Sequence, residues 1–322
     1  MMEKPTLPRE LLTSEWPGNT TVMVTEFIIL GFGDLKELGP LLFLVFSIVY
    51  LATISGNLLL MVLVSTQRGL QTPMYFFLAN LSCLEVCYTS NIMPRMMVDL
   101  LRENRVISMV GCVIQLYFFG ALGSTECYLL TVMSYDRYLA VCRPLHYPTL
   151  MRGTISVGLV IGSWVSGFTV AAVFQAAMVS SLTFCGGNEI DHFFCDLKPL
   201  QKLSCSDPYL VNLVCMSLTA LVTLAPFGLT LASYWRILST VMHIPSMTGR
   251  QKAFSTCSSH LLVVTLFYGT LILVYAVPLA GQVPVLNKTF SVLYTVVTPM
   301  CNPLIYSLKN KDVKEALRKL KI

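Results

Sequence analysis

Seven stretches of this chain, at 39–65, 73–99, 109–138, 154–179, 209–240, 252–277 and 288–308, are rich enough in apolar residues to be read as membrane helices. A helix needs roughly 20 such residues to cross the hydrocarbon of a bilayer. No other feature constrains the fold as tightly. A backbone inside lipid finds no water for its polar groups, so it must bond to itself, and runs of this length do so as helices. Composition agrees: 12% of the 322 residues are charged, about half the share of a soluble domain and too few to cover a water-soluble globule of this size. The second run opens on Thr72-Pro73, a capping residue followed by proline at the first helical position. The seventh is interrupted by Pro299 and Pro303, which a bundle tolerates when neighbours satisfy the freed backbone. Residues 1–37 are polar and carry Pro5, Pro8, Pro17 and Gly18. They lack the apolar core of a cleavable signal, so the first run is expected to serve as its own membrane signal.

The distribution of cations orients the bundle. With the N-terminus outside, the inner side holds 13 of the 22 Lys and Arg residues against only Asp136, Asp312 and Glu315, while the outer side holds 9 cations against 12 acids. An odd number of helices then leaves the C-terminus inside. Beyond 308, Val313, Ala316, Leu317 and Leu320 recur at helical spacing among Lys and Arg, the pattern of a short helix lying on the inner leaflet. The expected architecture is an all-α membrane protein: an extracellular segment 1–38, a seven-helix bundle 39–308 and a cytoplasmic amphipathic tail 309–322. A basic run interleaved with aromatics is missing, so nucleic acid is not an expected partner; membrane lipid is.

Polar residues inside apolar runs carry the functional information. Asp136-Arg137-Tyr138 closes the third run, and Asn302-Pro303-Leu304-Ile305-Tyr306 sits in the seventh. An acid–base pair at a helix end also serves as an interfacial anchor. Asn and Pro within a helix weaken its hydrogen-bond ladder and supply a hinge, and together the two motifs form a specific signal. Glu85 and Glu126 lie within the second and third runs. Glu126 precedes Arg137 by three turns, about 16 Å deeper on the same face, where an ionised acid costs about 2.5–3.5 kcal/mol. Four cysteines, Cys112, Cys185, Cys195 and Cys205, belong to the oxidising outer side and allow three pairings. Asn19-Thr20-Thr21 is a glycosylation sequon in the outer segment. A nucleophile–base pair or metal constellation at helical spacing is not evident, so an enzyme is not expected, and His243 and His260 read as structural. A channel or transporter reading lacks an internal repeat and a charged filter.

These motifs resemble the rhodopsin-like receptors, and within them the olfactory receptors. The resemblance runs from Gly56-Asn57 and Pro73-Met74-Tyr75-Phe76-Phe77-Leu78, through Met133 to Cys142 and Lys252 to Leu261, to Pro303 through Asn310. The sixth-run stretch Lys252-Ala253-Phe254-Ser255-Thr256-Cys257-Ser258-Ser259-His260-Leu261 is the most specific part. Ser134 and Glu85 depart from the family pattern, where Ala and Asp are usual. The resemblance implies an odorant receptor that binds a small neutral volatile, activates a stimulatory G protein and raises cAMP. The alternative is a rhodopsin-like receptor for a non-volatile ligand outside the olfactory system. It implies a resting link between Asp136 and Arg137, with Tyr138, Tyr234, Asn302, Pro303 and Tyr306 in the same switch. It nominates Phe119, Gly120, Gly123, Ser124, Leu218, Thr219, Val222, Tyr268, Leu271, Ile272, Tyr275 and Thr295 as the ligand lining. It selects the pairings Cys112–Cys195 and Cys185–Cys205, and it places a sodium ion, or a shared proton, near Glu85 and Glu126. Two neutral acids with a structural role are the other reading, and no further cofactor is implied. Receptor-trafficking accessory proteins and a plasma-membrane, ciliary location follow from the same resemblance.

Overall fold

A computed structural model describes residues 24–33, 37–184, 187–206, 209–275 and 284–320. Besides short helical turns at Arg68–Leu70, Tyr147–Leu150 and Leu197–Lys202, eight helices build the architecture. They are α1 Gly39–Thr66, α2 Pro73–Leu101, α3 Met109–Cys142, α4 Gly153–Ser181, α5, α6 Met247–Tyr275, α7 and α8 Lys311–Leu320. Helix α5 is built from Tyr209–Thr219, a π-helical turn Ala220–Leu224 and Ala225–Met242. Helix α7 repeats the device: Pro284–Val292, a π turn Leu293–Val297 and Thr298–Lys309. By length and apolarity α1, α3, α4 and the span Asn212–Met242 of α5 can each cross a membrane unaided. Helix α6 contributes a shorter apolar stretch, Cys257–Ile272.

The helices close a ring, α1 against α2 and α7, α4 against α5, α6 against α7, with α3 packed on α2, α4, α5 and α6. Small residues set the closest approaches, as expected where lipid gives helices no hydrophobic reason to associate. A Cβ added at Gly167 of α4 would lie 2.2 Å from Thr125 Oγ1, 2.8 Å from Thr125 N and 2.9 Å from Ala121 O of α3. Gly56 of α1 sits against the Pro303 ring, which an added Cβ would meet at 3.3 Å. Pro303 has no N–H, so the carbonyl of Pro299, four residues earlier, loses its helical donor. The Asn57 side-chain amide replaces that donor, giving one hydrogen bond to Pro299 O at 3.3 Å and another to Thr53 O at 3.0 Å. The interruption in α7 is thus satisfied from α1.

The end of the bundle that carries the N-terminal segment contains what apolar periodicity does not foresee, a small three-stranded sheet. Strands β1 Glu26–Ile29, β2 Val106–Ser108 and β3 Glu189–Ile190 are ordered β2-β1-β3, with β1 antiparallel to β2 and parallel to β3. The N-terminal segment, the α2–α3 loop and the α4–α5 loop are so knitted together over a satellite core of Phe27, Ile29, Ile107, Leu116, Met178 and Ile190. The chain leaves β1 through Gly31 and Gly33 at φ 61° and 93°, a left-handed turn that side chains resist. At the opposite end α8 buries Val313 and Ala316, and the Tyr75 hydroxyl of α2 bonds Asn310 and Asp312, both at 2.9 Å.

Candidate functional site

The α4–α5 loop forms the lid of the bundle. A Cys112–Cys195 disulfide, Cα atoms 5.4 Å apart, ties the loop to α3. Cys205 is also disulfide-bonded; Cys185, like Asn19, lies outside the described residues. The Cys195 amide donates to Gln115 Oε1 at 3.0 Å, and Gln115 and Asn91 exchange side-chain to backbone bonds between α3 and α2. His192, Phe193 and Phe194 are buried. The Phe194 ring lies 5.0 Å from Phe119, and Phe193 lies 5.1 Å from Phe32. His192 Nε2 meets Ser291 Oγ of α7 at 3.2 Å, and Lys288 pairs with Asp191 at 2.5 Å.

Burial, with Lys288 nearby, pushes the His192 imidazole down to about 3, so the closed lid holds it neutral. An opened lid returns it to an ordinary value of about 6.5. Between these values the open form binds a proton that the closed form refuses, so the closed lid loses stability as pH falls through that window. Amide exchange across 189–194, corrected for its intrinsic pH dependence, is expected to accelerate as pH drops below about 6.5. His192→Gln should lack that acceleration; equal profiles in the two proteins would refute the account.

Beneath the lid, Phe119, Val222, Tyr268 and Leu271 join the principal hydrophobic cluster. The Tyr268 ring lies 4.7 Å from Phe227, and Thr295 is buried with its hydroxyl on Ser291 O at 2.7 Å. Gly123 lies opposite the exposed Ile114 on α3, and a Cβ added there would meet nothing within 4 Å, so open space adjoins the helix on its inward side. Ser124 turns its hydroxyl back to Gly120 O at 2.7 Å, and Leu218 is half-buried.

Other nominated positions sit elsewhere. Gly120 faces α4, where an added Cβ would touch Ala171 at 4.0 Å. Ile272 is 47% exposed and shares the outward stripe of Leu261 and Thr265, which lie about three and two turns away. Thr219 is exposed while Val222 is buried. A straight helix would put both on one face, but the π turn starting at Ala220 breaks that register. The Tyr275 side chain lies outside the described part.

Deeper in the bundle, Glu85 accepts a hydrogen bond from the Asn302 amide, and Glu126 is buried with it. Glu85 Oε2, Glu126 Oε1 and Asn302 Oδ1 are buried without a hydrogen-bond partner.

At the end of the bundle that carries α8, Asp136 is fully buried and both its oxygens are engaged. Arg137 Nε donates to Oδ2 at 2.9 Å, with a second guanidinium contact to the same oxygen, and the Tyr147 hydroxyl donates to Oδ1 at 2.7 Å. Burial, and then the Asp136 carboxylate, pushes the Tyr147 phenol up, which keeps it a donor. Tyr138 packs half-buried beside this pair, its ring stacked 6.1 Å from Tyr135. Tyr234 of α5 hydrogen-bonds His260 Nδ1 of α6 at 2.6 Å, and with Ile237, Val241 and Cys257 it forms a separate hydrophobic cluster. Tyr306 is buried and its hydroxyl has no partner. Tyr147 and His260 are the participants to which the sequence assigns no part in the switch. Tyr147 stands alone in an inner loop, and only the fold brings His260 to Tyr234.

The chain matches the family model described as olfactory receptor over residues 46–322. Olfactory receptor 11A1 of Homo sapiens is 50% identical over 303 residues, 94% of this chain and 95% of that protein. Olfactory receptor 5AP2 of Mus musculus is 48% identical over 297 residues, 92% of this chain and 93% of that one. Squid rhodopsin superposes with a TM-score of 0.70 at 15% identity, over 88% of this chain and 85% of its own, a likeness of fold alone. With relatives sharing half its residues nearly end to end and a family match over most of its length, the chain belongs to the olfactory receptor family of multi-pass plasma-membrane receptors, which are not enzymes.

Proposed function

We propose that this receptor binds a small, neutral, volatile ligand beneath its lid and activates an olfactory-type stimulatory G protein, which raises cAMP. One observation carries the reading. A single helix, α3, borders uncharged open space at Gly123 and ends in the buried Asp136–Arg137 pair, about 20 Å further along its axis. A cationic ligand wants a carboxylate and an anionic one wants a cation; the lining supplies neither. Ligand seated between α3, α5 and α6 bears on Tyr268 and shifts α6. The Tyr234–His260 bond then parts and Arg137 is released to the G protein. The N-terminus faces outside, Asn19 carries glycan, the receptor reaches the ciliary membrane, and accessory proteins assist its traffic.

The test is a cAMP reporter assay in cells supplied with the stimulatory G protein and a trafficking helper, with surface display measured by antibody. A dose-dependent response to a neutral volatile is expected, and Arg137→Ala should abolish it. Gly123→Leu should fill the open space and weaken potency at unchanged display, by at least the roughly tenfold that one methylene is worth in an apolar pocket. Silence at verified display across a broad volatile panel would move the reading to a non-volatile ligand. A Gly123→Leu response equal to wild type would remove the space at Gly123 as the ligand site.

We also propose that Glu85, Glu126 and Asn302 hold one exchangeable cation, sodium or a proton. Their unpartnered oxygens are the hard donors such a cation prefers. Replacing external sodium by a large organic cation at constant ionic strength should shift agonist potency in wild type and leave Glu126→Gln unmoved. A sodium-indifferent wild type would exclude sodium from the site.

A further inference from the structure

One cavity belongs to none of these sites. A groove of about 380 Å³ runs between α3, α4 and α5 on the outside of the bundle, walled by Val132, Leu159, Leu229 and Ala232. At one end it collects polar groups: Tyr135, Tyr138, Ser233 and Arg236. The Arg236 side chain is exposed, and among the described residues it makes no hydrogen bond or ion pair. The three acids on its side of the membrane are all engaged elsewhere. Asp136 holds Arg137 and Tyr147, Asp312 accepts from Tyr75, and Glu315 pairs with Lys319 at 2.9 Å. Arg236 stands six residues before the end of α5 at Met242, about 9 Å along the helix, so its guanidinium reaches the headgroup level by extending along the helix. The protein thus offers an apolar trough with an uncompensated cation and two phenols at its polar end.

We infer that this groove binds an anionic phospholipid of the cytoplasmic leaflet, its acyl chains along Val132, Leu159 and Leu229 and its phosphate at Arg236. The charge selects the class. A sterol hydroxyl brings no anion and a zwitterionic headgroup offsets its phosphate with its own ammonium, whereas an anionic headgroup neutralises the guanidinium and accepts from the Tyr135 hydroxyl. The inference rests on the reading that places this end of the bundle inside. The groove also adjoins Tyr138, the residue next to Arg137 on α3.

Purified receptor in nanodiscs of phosphatidylcholine doped with phosphatidylserine, extracted and weighed by native mass spectrometry, tests this. Both leaflets carry the same lipid, so the result does not depend on orientation or on G-protein coupling. Wild type is expected to retain one phosphatidylserine more than Arg236→Gln, whose affinity should fall about fivefold, the effect of one cation at an anionic surface. Ala232→Phe, which blocks the trough and leaves the guanidinium in place, should lose the same lipid. Arg152→Gln, elsewhere on the inner face, should retain it, and melting temperatures check that each variant is folded. Three results would overturn the proposal: equal retention by wild type and Arg236→Gln, equal retention of phosphatidylcholine and phosphatidylserine, or equal losses in Arg152→Gln and Arg236→Gln.

Discussion

Gly167→Ala is expected to strip this receptor from the cell surface. The added Cβ would press on Thr125 N and Ala121 O, backbone atoms of α3 that no rotamer change can move aside. Helices α3 and α4 must then separate along one of the most extensive contacts in the bundle. Overpacking a tight core costs about 1–3 kcal/mol, and this contact belongs at or above the top of that range, because the neighbour that must yield is a helix backbone. Gly158 and Gly162 supply the controls within the same helix, since a Cβ at either meets nothing within 4 Å. Alanine there should leave antibody staining and the melting temperature in detergent unchanged or slightly raised. Normal display and melting of Gly167→Ala would show that α3 and α4 do not approach as described.

Asp136→Asn should produce signalling without ligand. Both oxygens of the carboxylate are committed, one to Arg137 and one to Tyr147, at a fully buried position. Removing the charge leaves a buried guanidinium without its counter-ion, a loss of about 3–5 kcal/mol when a buried pair is broken. Arg137 relieves it by turning out of the bundle, the movement proposed above to admit the G protein. Basal cAMP at matched surface display should therefore rise severalfold. Tyr147→Phe, which removes one hydrogen bond worth about 1 kcal/mol, should raise it less. Asp136→Asn combined with Arg137→Ala should be silent. Basal activity of Asp136→Asn equal to wild type would mean that the pair does not restrain the receptor.

The bundle was legible because lipid demands long apolar helices whatever their partners. Thr72-Pro73 even marks where α2 begins. The faces of those helices were not legible. A membrane helix is apolar toward lipid and toward core alike, so periodicity could not tell that Ile272 looks outward and Leu271 inward. The two π turns were hidden for the same reason: a slip of phase leaves no trace where both faces are greasy. The outer sheet rests on strands of two to four residues drawn from three distant segments, too short for alternation to register. Gly167 carries no local sign of its role, because the reason for it is Thr125, forty-two positions earlier and on another helix. The switch was partly readable. Asp136, Arg137, Asn302 and Tyr306 stand in motifs, whereas Tyr147 and His260 acquire their meaning only from the atoms that the fold brings beside them.

The π turns in α5 and α7 carry a consequence for how such receptors diversify. Each residue of a helix advances its face by about 100°, so gaining or losing the extra residue of a π turn rotates everything on one side of it and leaves the other side still. Val222 sits in the first turn, and Tyr294 and Thr295 sit in the second. The inward ends, with Tyr234 and Tyr306, lie past both. The turns act as swivels, so the surface that meets the ligand can be re-aimed by small lesions in the gene while the machinery that reports occupancy keeps its register. Recognition can drift, and signalling can stay fixed, within one continuous helix.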